Sequence, residues 1–233
     1  MKLARGFGVA ALGVALLAAS SPAVSQDPTA ARVAAIKQWV VESKEHLKGY
    51  QWIETTVVSH DGDVKSTTTT SCFYDVTGAL QKVPMASSPE PKKKPGIRGA
   101  IQKDEQKEMS DYMKNAVALV KSYFPPNVEK IQASKDAGKM SVDFLPGGQN
   151  MKLNFKDYEK PGDVFSVSLD PNTNKLLGMG VATYIDNAKD AVVLDVTLST
   201  LPDGTGYASK INLDAKAKKL NVTVTNTGYR KSN

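Results

Sequence analysis

Residues 192–224 read VVLDVTLSTLPDGTGYASKINLDAKAKKLNVTV. Val192, Leu194, Val196 and Leu198 recur at every second position, and the Asp203-Gly204 pair that follows is a strong hairpin signal, because glycine takes the positive φ a tight turn demands. Tyr207, Ser209, Ile211 and Leu213 alternate in the same way, as do Leu220, Val222 and Val224 after a second reversal. A period of two sends successive side chains to opposite faces. Each run therefore presents an apolar face and a face of Thr, Ser, Lys and Asn. That texture predicts antiparallel strands with one wet side, since parallel strands covered on both faces are apolar throughout.

The pattern extends upstream. Met140, Val142 and Phe144 alternate, Gly147-Gly148 turns the chain, and Met151, Leu153 and Phe155 follow. Beyond Pro161-Gly162 come Phe165, Val167 and Leu169, then the turn Asp170-Pro171-Asn172, then Leu177, Met179, Val181, Thr183 and Ile185, with a turn near Asn187. Nearer the N-terminus, Tyr50 to Ser59, Val64 to Tyr74 and Ala79 to Met85 read as strands joined at Asp61-Gly62 and at Asp75 to Gly78. Thr67 to Thr70 favours extended backbone without a clear apolar face. About ten sequence-adjacent strands predict a long meander that must curl, because open twisted sheets of that size rarely stay flat.

Three helices are expected beside it. The first has Asp27 as a cap, Pro28 in its first turn and Gly49 at its end, with Val33, Ile36, Val40 and Leu47 on one stripe and Trp39 alongside. The second spans Lys103 to Tyr123, where Met109, Met113, Ala116, Val120 and Tyr123 form a face widened by Tyr112 and Leu119. A third, short helix covers Asn127 to Ala137. Residues 86–99, rich in proline and holding Lys92-Lys93-Lys94, read as a flexible, solvated loop. The expected fold class is α+β, a curved antiparallel sheet of about ten strands forming an unclosed half-barrel, its apolar face covered by two or three helices.

Met1 to Ser25 has the three parts of a secretory signal peptide: the cations Lys2 and Arg5, the apolar run Phe7 to Ala18, and the small residues of Ala23-Val24-Ser25. Cleavage near Ser25 would leave residues 26–233 as a single domain in the periplasm or secreted. No later segment is long and apolar enough to span a bilayer. With Lys2 and Arg5 gone, 30 basic residues fall to 28 against 24 acidic ones, a balance of +4. Only Arg32, Arg98 and Arg230 then remain as arginine, so nucleic-acid binding is not expected. A lone cysteine, Cys72, makes no intramolecular disulfide; it is either a small buried apolar residue or the link of a disulfide dimer.

No catalytic constellation emerges. His46 and His60 are the only histidines and lack partners at ligand spacing, so no metal site is expected. Cys72 has no nearby histidine, no serine lies in a nucleophile elbow, and no glycine-rich loop precedes a helix. The oxygen-rich run from Asp170 to Asn174 lacks the glycine and distal glutamate of a calcium loop and reads as a turn. The chain is expected to be no enzyme and to carry no cofactor.

The order of elements resembles a known fold. An exported chain, a first helix, a short meander, helices after the third strand and a long run of strands are similar to the periplasmic lipoprotein-localisation (LolA/LolB-like) family. The local likeness is strongest from Phe165 to Ile185, a strand, the turn Asp170 to Asn174 and a long strand. The arginine that those carriers use has no counterpart here. The resemblance implies a half-barrel with a helical lid. Together with the one-sided apolar sheet it leads to a soluble periplasmic carrier for a lipid, acyl chain or other apolar ligand. Its candidate cavity residues are Trp52, Phe144, Met151, Leu153, Phe165, Met179, Val181, Leu194, Val196 and Leu198. The alternative is a structural or interaction protein of the cell envelope with a filled core, meeting another envelope protein.

Overall fold

The computed structural model describes residues 28–87, 97–173 and 175–232. The expected signal peptide, the Asp27 cap and the middle of the proline- and lysine-rich segment lie outside these residues. The chain runs α1 (Pro28–Leu47), β1 (Tyr50–His60), β2 (Asp63–Tyr74), β3 (Leu80–Ser87), α2 (Ile97–Lys121), α3 (Val128–Asp136) and β4 (Met140–Phe144). It continues through β5 (Met151–Lys156), β6 (Val164–Asp170), β7 (Lys175–Tyr184), β8 (Ala191–Thr200), β9 (Gly206–Ala215) and β10 (Leu220–Lys231). The ten strands form one open antiparallel sheet in the order β3-β2-β1-β10-β9-β8-β7-β6-β5-β4, an unclosed half-barrel with three helices.

Turn chemistry explains much of this order. At Asp61-Gly62 both residues have positive φ, 54° and 83°, which is the mirror-image turn that suits the twist of a two-residue hairpin. The departure from a simple meander is that β1 pairs with β10. The edge strands are therefore β3 and β4, joined through α2 and α3 rather than by a hairpin. Alternation fixes which face a strand buries but not which neighbour it takes, so this join was invisible in the sequence.

Two boundaries differ from expectation. α2 begins at Ile97, not Lys103, and ends at Lys121, before Tyr123. The ends of the expected 86–99 loop are accordingly strand (86–87) and helix (97–99). Gly99 weakens a helix by about 1 kcal/mol, which does not stop one.

Register lines the apolar residues into rows across the sheet. Met140, Phe155, Phe165, Val181, Leu194, Leu213 and Val222 face one another from β4 to β10. One step along, Val142, Leu153, Val167, Met179, Val196, Ile211 and Val224 make a second row. On β1 and β2 the same face turns polar, because Val58, Thr56 and Glu54 pair with Ser66, Thr68 and Thr70.

The helices lie on opposite rims of this face. α2 follows the rim of the first row and is tied to three strand connections in succession. Glu108 bonds Lys218 at 2.8 Å, the Tyr112 hydroxyl donates to Asp190, and the Tyr123 hydroxyl donates to Asp163 at 2.5 Å. Its expected stripe is the one found: Ala116, Val120 and Tyr123 are buried and Met113 packs against the same core. Below Tyr123, the fully buried Asp163 also accepts from the backbone N–H groups of Tyr158 (2.6 Å), Glu159 (3.0 Å) and Lys160 (3.0 Å).

α1 sits on the other rim, at the β8–β9 hairpin. Trp39 covers Gly206 so closely that a Cβ there would come within 2.0 Å of its ring, and Ser43 Oγ accepts from Gly206 N at 3.0 Å. These fixings rotate the helix, so its inward side is Ile36, Trp39 and Ser43, while Val40, expected on the apolar stripe, is exposed. Val33's side chain is outside the described part.

Candidate functional site

Between the two rim helices the apolar face is incompletely covered. From Phe155 to Leu213 the first row is sealed by α2 and the aromatic packing beneath it, with Tyr158 stacked on Phe165 at 4.8 Å and Phe155 on Phe165 at 6.3 Å. The second row is not sealed. Val167 in its middle is buried, but Leu153, Met179, Val196, Ile211 and Val224 are only partly buried, and toward the β4 edge Val142 is 44% and Phe144 71% exposed. From β4 to β10 this strip crosses six strand spacings, roughly 29 Å at about 4.8 Å each.

The ten sequence-derived candidates divide accordingly. Leu153, Met179 and Val196 line the open row, and Met151 and Leu198 lie half-buried beside it. Phe144 stands at its edge. Phe165, Val181 and Leu194 belong to the sealed row, where α2 and its neighbours already fill the space. Trp52 is buried elsewhere, stacked on Tyr229 at 5.5 Å with Tyr74 at 5.9 Å. Ile211, Val224 and Val142 were legible as strand residues; only the register shows that they share a row with Met179.

The end of the face near Trp52 has its own geometry. β9 and β10 pair from Leu220↔Ala215 to Thr225↔Lys210 and then part. Past that point the Asn226 side chain takes over from the ladder, donating from Nδ2 to Ala208 O at 2.8 Å. Tyrosines fill the wedge, with Tyr207 and Tyr229 ring centres 4.3 Å apart. The Tyr50 hydroxyl closes its mouth by donating to Asp203 at 2.5 Å, and that bond leads the causes holding the Asp203 carboxyl down at about 2. Cys72, opposite Trp52, is fully buried and unpaired, and burial pushes its thiol up, which disfavours the reactive thiolate.

The outer face carries a shallow depression of 240 Å³ lined by Ser166, Ser168, Gly178, Gly180, Asp195 and Thr197 among others. Its floor is the gap left by two glycines on β7. A Cβ on Gly178 would lie 2.5 Å from Val196 O, and one on Gly180 would lie 2.6 Å from Ser166 Oγ. Close strand approach in a bent sheet accounts for both glycines. The turn at Asp170 is an ordinary one, its carboxylate accepting from Asn172 N and Thr173 Oγ1, both at 2.8 Å. Among the described residues no three His, Cys, Asp or Glu side chains gather as a metal site requires, and no helix is long and apolar enough to cross a membrane.

Three solved structures match this chain at low TM-scores. A DUF1329 family protein from Desulfovibrio piger matches at 9% identity and a TM-score of 0.38, over 89% of this chain and 94% of that one. An outer membrane lipoprotein-sorting protein domain from Vibrio parahaemolyticus matches at 10% identity and 0.34, over 86% and 92%. A LolA superfamily protein from Nitrosomonas europaea matches at 6% identity and 0.34, over 84% and 93%. No protein-family profile matches the chain, and no curated protein does.

Proposed function

We propose that this chain is an exported, non-catalytic carrier that holds a lipid, acyl chain or other apolar ligand along the concave face between α1 and α2. The observation that carries the reading is the second row, an apolar strip partly exposed on either side of the buried Val167, while the row beside it is buried from Phe155 to Leu213. An apolar surface with few polar groups suits such a ligand. The Met1–Ser25 segment would deliver the protein to the periplasm.

A second reading has its own support. Because the first row is already packed against α2, the helices act partly as a fixed plug. That suits a structural protein of the envelope which meets a partner through its surface and carries nothing.

Titration of the lipid-stripped protein with the dye N-phenyl-1-naphthylamine separates the two. The carrier reading predicts saturable fluorescence enhancement, displaced by a long-chain lipid. It also predicts that V142S/F144S weakens dye binding about threefold or more without lowering stability, because both side chains already face solvent. No enhancement, or enhancement that the double variant leaves untouched, favours the plugged protein.

A further inference from the structure

The depression on the outer face brings together polar side chains that the concave face does not use. Ser166 lines it and is only 5% exposed, yet its hydroxyl has no hydrogen-bond partner among the described residues. Ser166 Oγ lies over Gly180, 2.6 Å from where a Cβ would stand. Asp195 Oδ1 lies 3.5 Å from the same point, so the two oxygens flank one spot in the floor. Close strand approach explains the glycine. It does not explain a buried hydroxyl left bare beside a carboxylate that has no cation.

Lys152 lines the same depression from β5. Asp143, opposite it in register, accepts instead from Asn154 Nδ2 at 2.7 Å. Neither Lys152 nor Asp195 belongs to an ion pair among the described residues. Lys210, opposite Thr197 on β9, lies outside the lining. The depression therefore has a negative end over Gly180 and a positive end at Lys152, with Leu145 and Leu177 also in its wall.

These ends select the ligand. A primary ammonium, with three N–H donors, suits Asp195 Oδ1 and Ser166 Oγ, which both accept. A divalent metal does not, because Asp195 is the only acidic residue in the lining. Strands β5 and β8 are three spacings apart, about 14 Å at roughly 4.8 Å each, and the long Lys152 side chain covers part of that span. The charges of a free amino acid sit on neighbouring atoms and cannot reach both ends, whereas an extended dipeptide spans about 7 Å.

We infer that the depression binds a dipeptide-sized zwitterion. Its ammonium sits on Asp195 and Ser166, its carboxylate meets Lys152, and an apolar side chain rests against Leu145 and Leu177. The site is on the opposite face of the sheet from the apolar strip and does not depend on the carrier reading.

Titration of the isotope-labelled mature protein with L-alanyl-L-leucine, followed by amide chemical shifts, tests this. Saturable shifts should centre on Gly178, Gly180 and Asp195. N-acetylation of the peptide, or Asp195→Asn, should weaken binding about tenfold, and Ser166→Ala about fivefold, the scales of a charged and a neutral hydrogen bond. Asp195 is exposed, so its variant should fold as the parent does. Lys152→Met should weaken the dipeptide about fivefold and its C-terminal amide not at all. No saturable shift at about 10 mM peptide overturns the inference. Equal binding of the acetylated peptide, or shifts that Asp195→Asn leaves in place, overturns it too. So does tighter binding of leucine or of glycerophosphoethanolamine, which would put the ligand in another class.

Discussion

Replacing Asp163 by Asn tests how α2 is held to the sheet. The carboxylate is fully buried and accepts four hydrogen bonds: Oδ1 from Tyr158 N, and Oδ2 from Glu159 N, Lys160 N and the Tyr123 hydroxyl. The shape of the side chain is unchanged in the variant, but one oxygen becomes an NH₂. If the remaining oxygen keeps the three donors on one side, the new amide faces the Tyr158 N–H, donor against donor. One charge-assisted bond is lost and one buried N–H is stranded, a cost of about 3 kcal/mol. For a domain of this size that is a fall in Tm of about 9 °C, at roughly 3 °C per kcal/mol. Tyr123→Phe removes the hydroxyl that donates to Asp163 and also pairs with the buried Thr183 Oγ1 at 2.9 Å, and should cost about 2 kcal/mol. Urea unfolding followed by circular dichroism gives both values, and the slope m should stay unchanged. Because the two residues share a bond, the double variant should cost less than the sum. A value for D163N within about 0.5 kcal/mol of the parent protein would refute this account of the anchor.

Other sites give independent tests. Gly206→Ala places a methyl within 2.0 Å of the Trp39 ring and should destabilise by about 2 kcal/mol, with a red shift of tryptophan emission as α1 is lifted; unchanged emission would contradict the packing. The Asp203 carboxyl is held at about 2 against an ordinary 3.8, so its contribution is full above about pH 4 and vanishes as the pH falls through 2. Melting curves of D203N should therefore lie below those of the parent protein at neutral pH and meet them near pH 2; a constant gap would show that the carboxylate charge plays no part. Cys72 should resist Ellman's reagent in the native state and react once urea unfolds the chain, and non-reducing gels should show no dimer; rapid native labelling would mean that β2 is open.

The sheet was legible because its signal is local. Alternation and turn residues place β4 to β9 within a residue or two of their positions, and the methionine-bearing stripe of α2 identifies the side that covers the core. What escaped was non-local. The pairing of β1 with β10 depends on how the whole sheet coils, and neither strand differs in pattern from its neighbours. The inward side of α1 was misjudged at Val40 because Ser43, a polar residue, buries itself against Gly206, a contact that hydropathy alone does not foresee. Among the site candidates, composition could select Phe165 and Met179 equally. Only register and helix placement separate the sealed row from the open one. Trp52 instead packs on Tyr229 and Tyr74, beyond the point where β9 and β10 part, and no local pattern marks that point.

The most direct test of the carrier account is native mass spectrometry of the mature protein purified, without detergent, from the cell that makes it. A bound apolar ligand predicts a second population heavier by the mass of one lipid-sized molecule, which collapses to the bare polypeptide mass under collisional activation. A spectrum showing only the bare polypeptide at every activation energy would contradict the account and leave the half-exposed row as a surface without cargo.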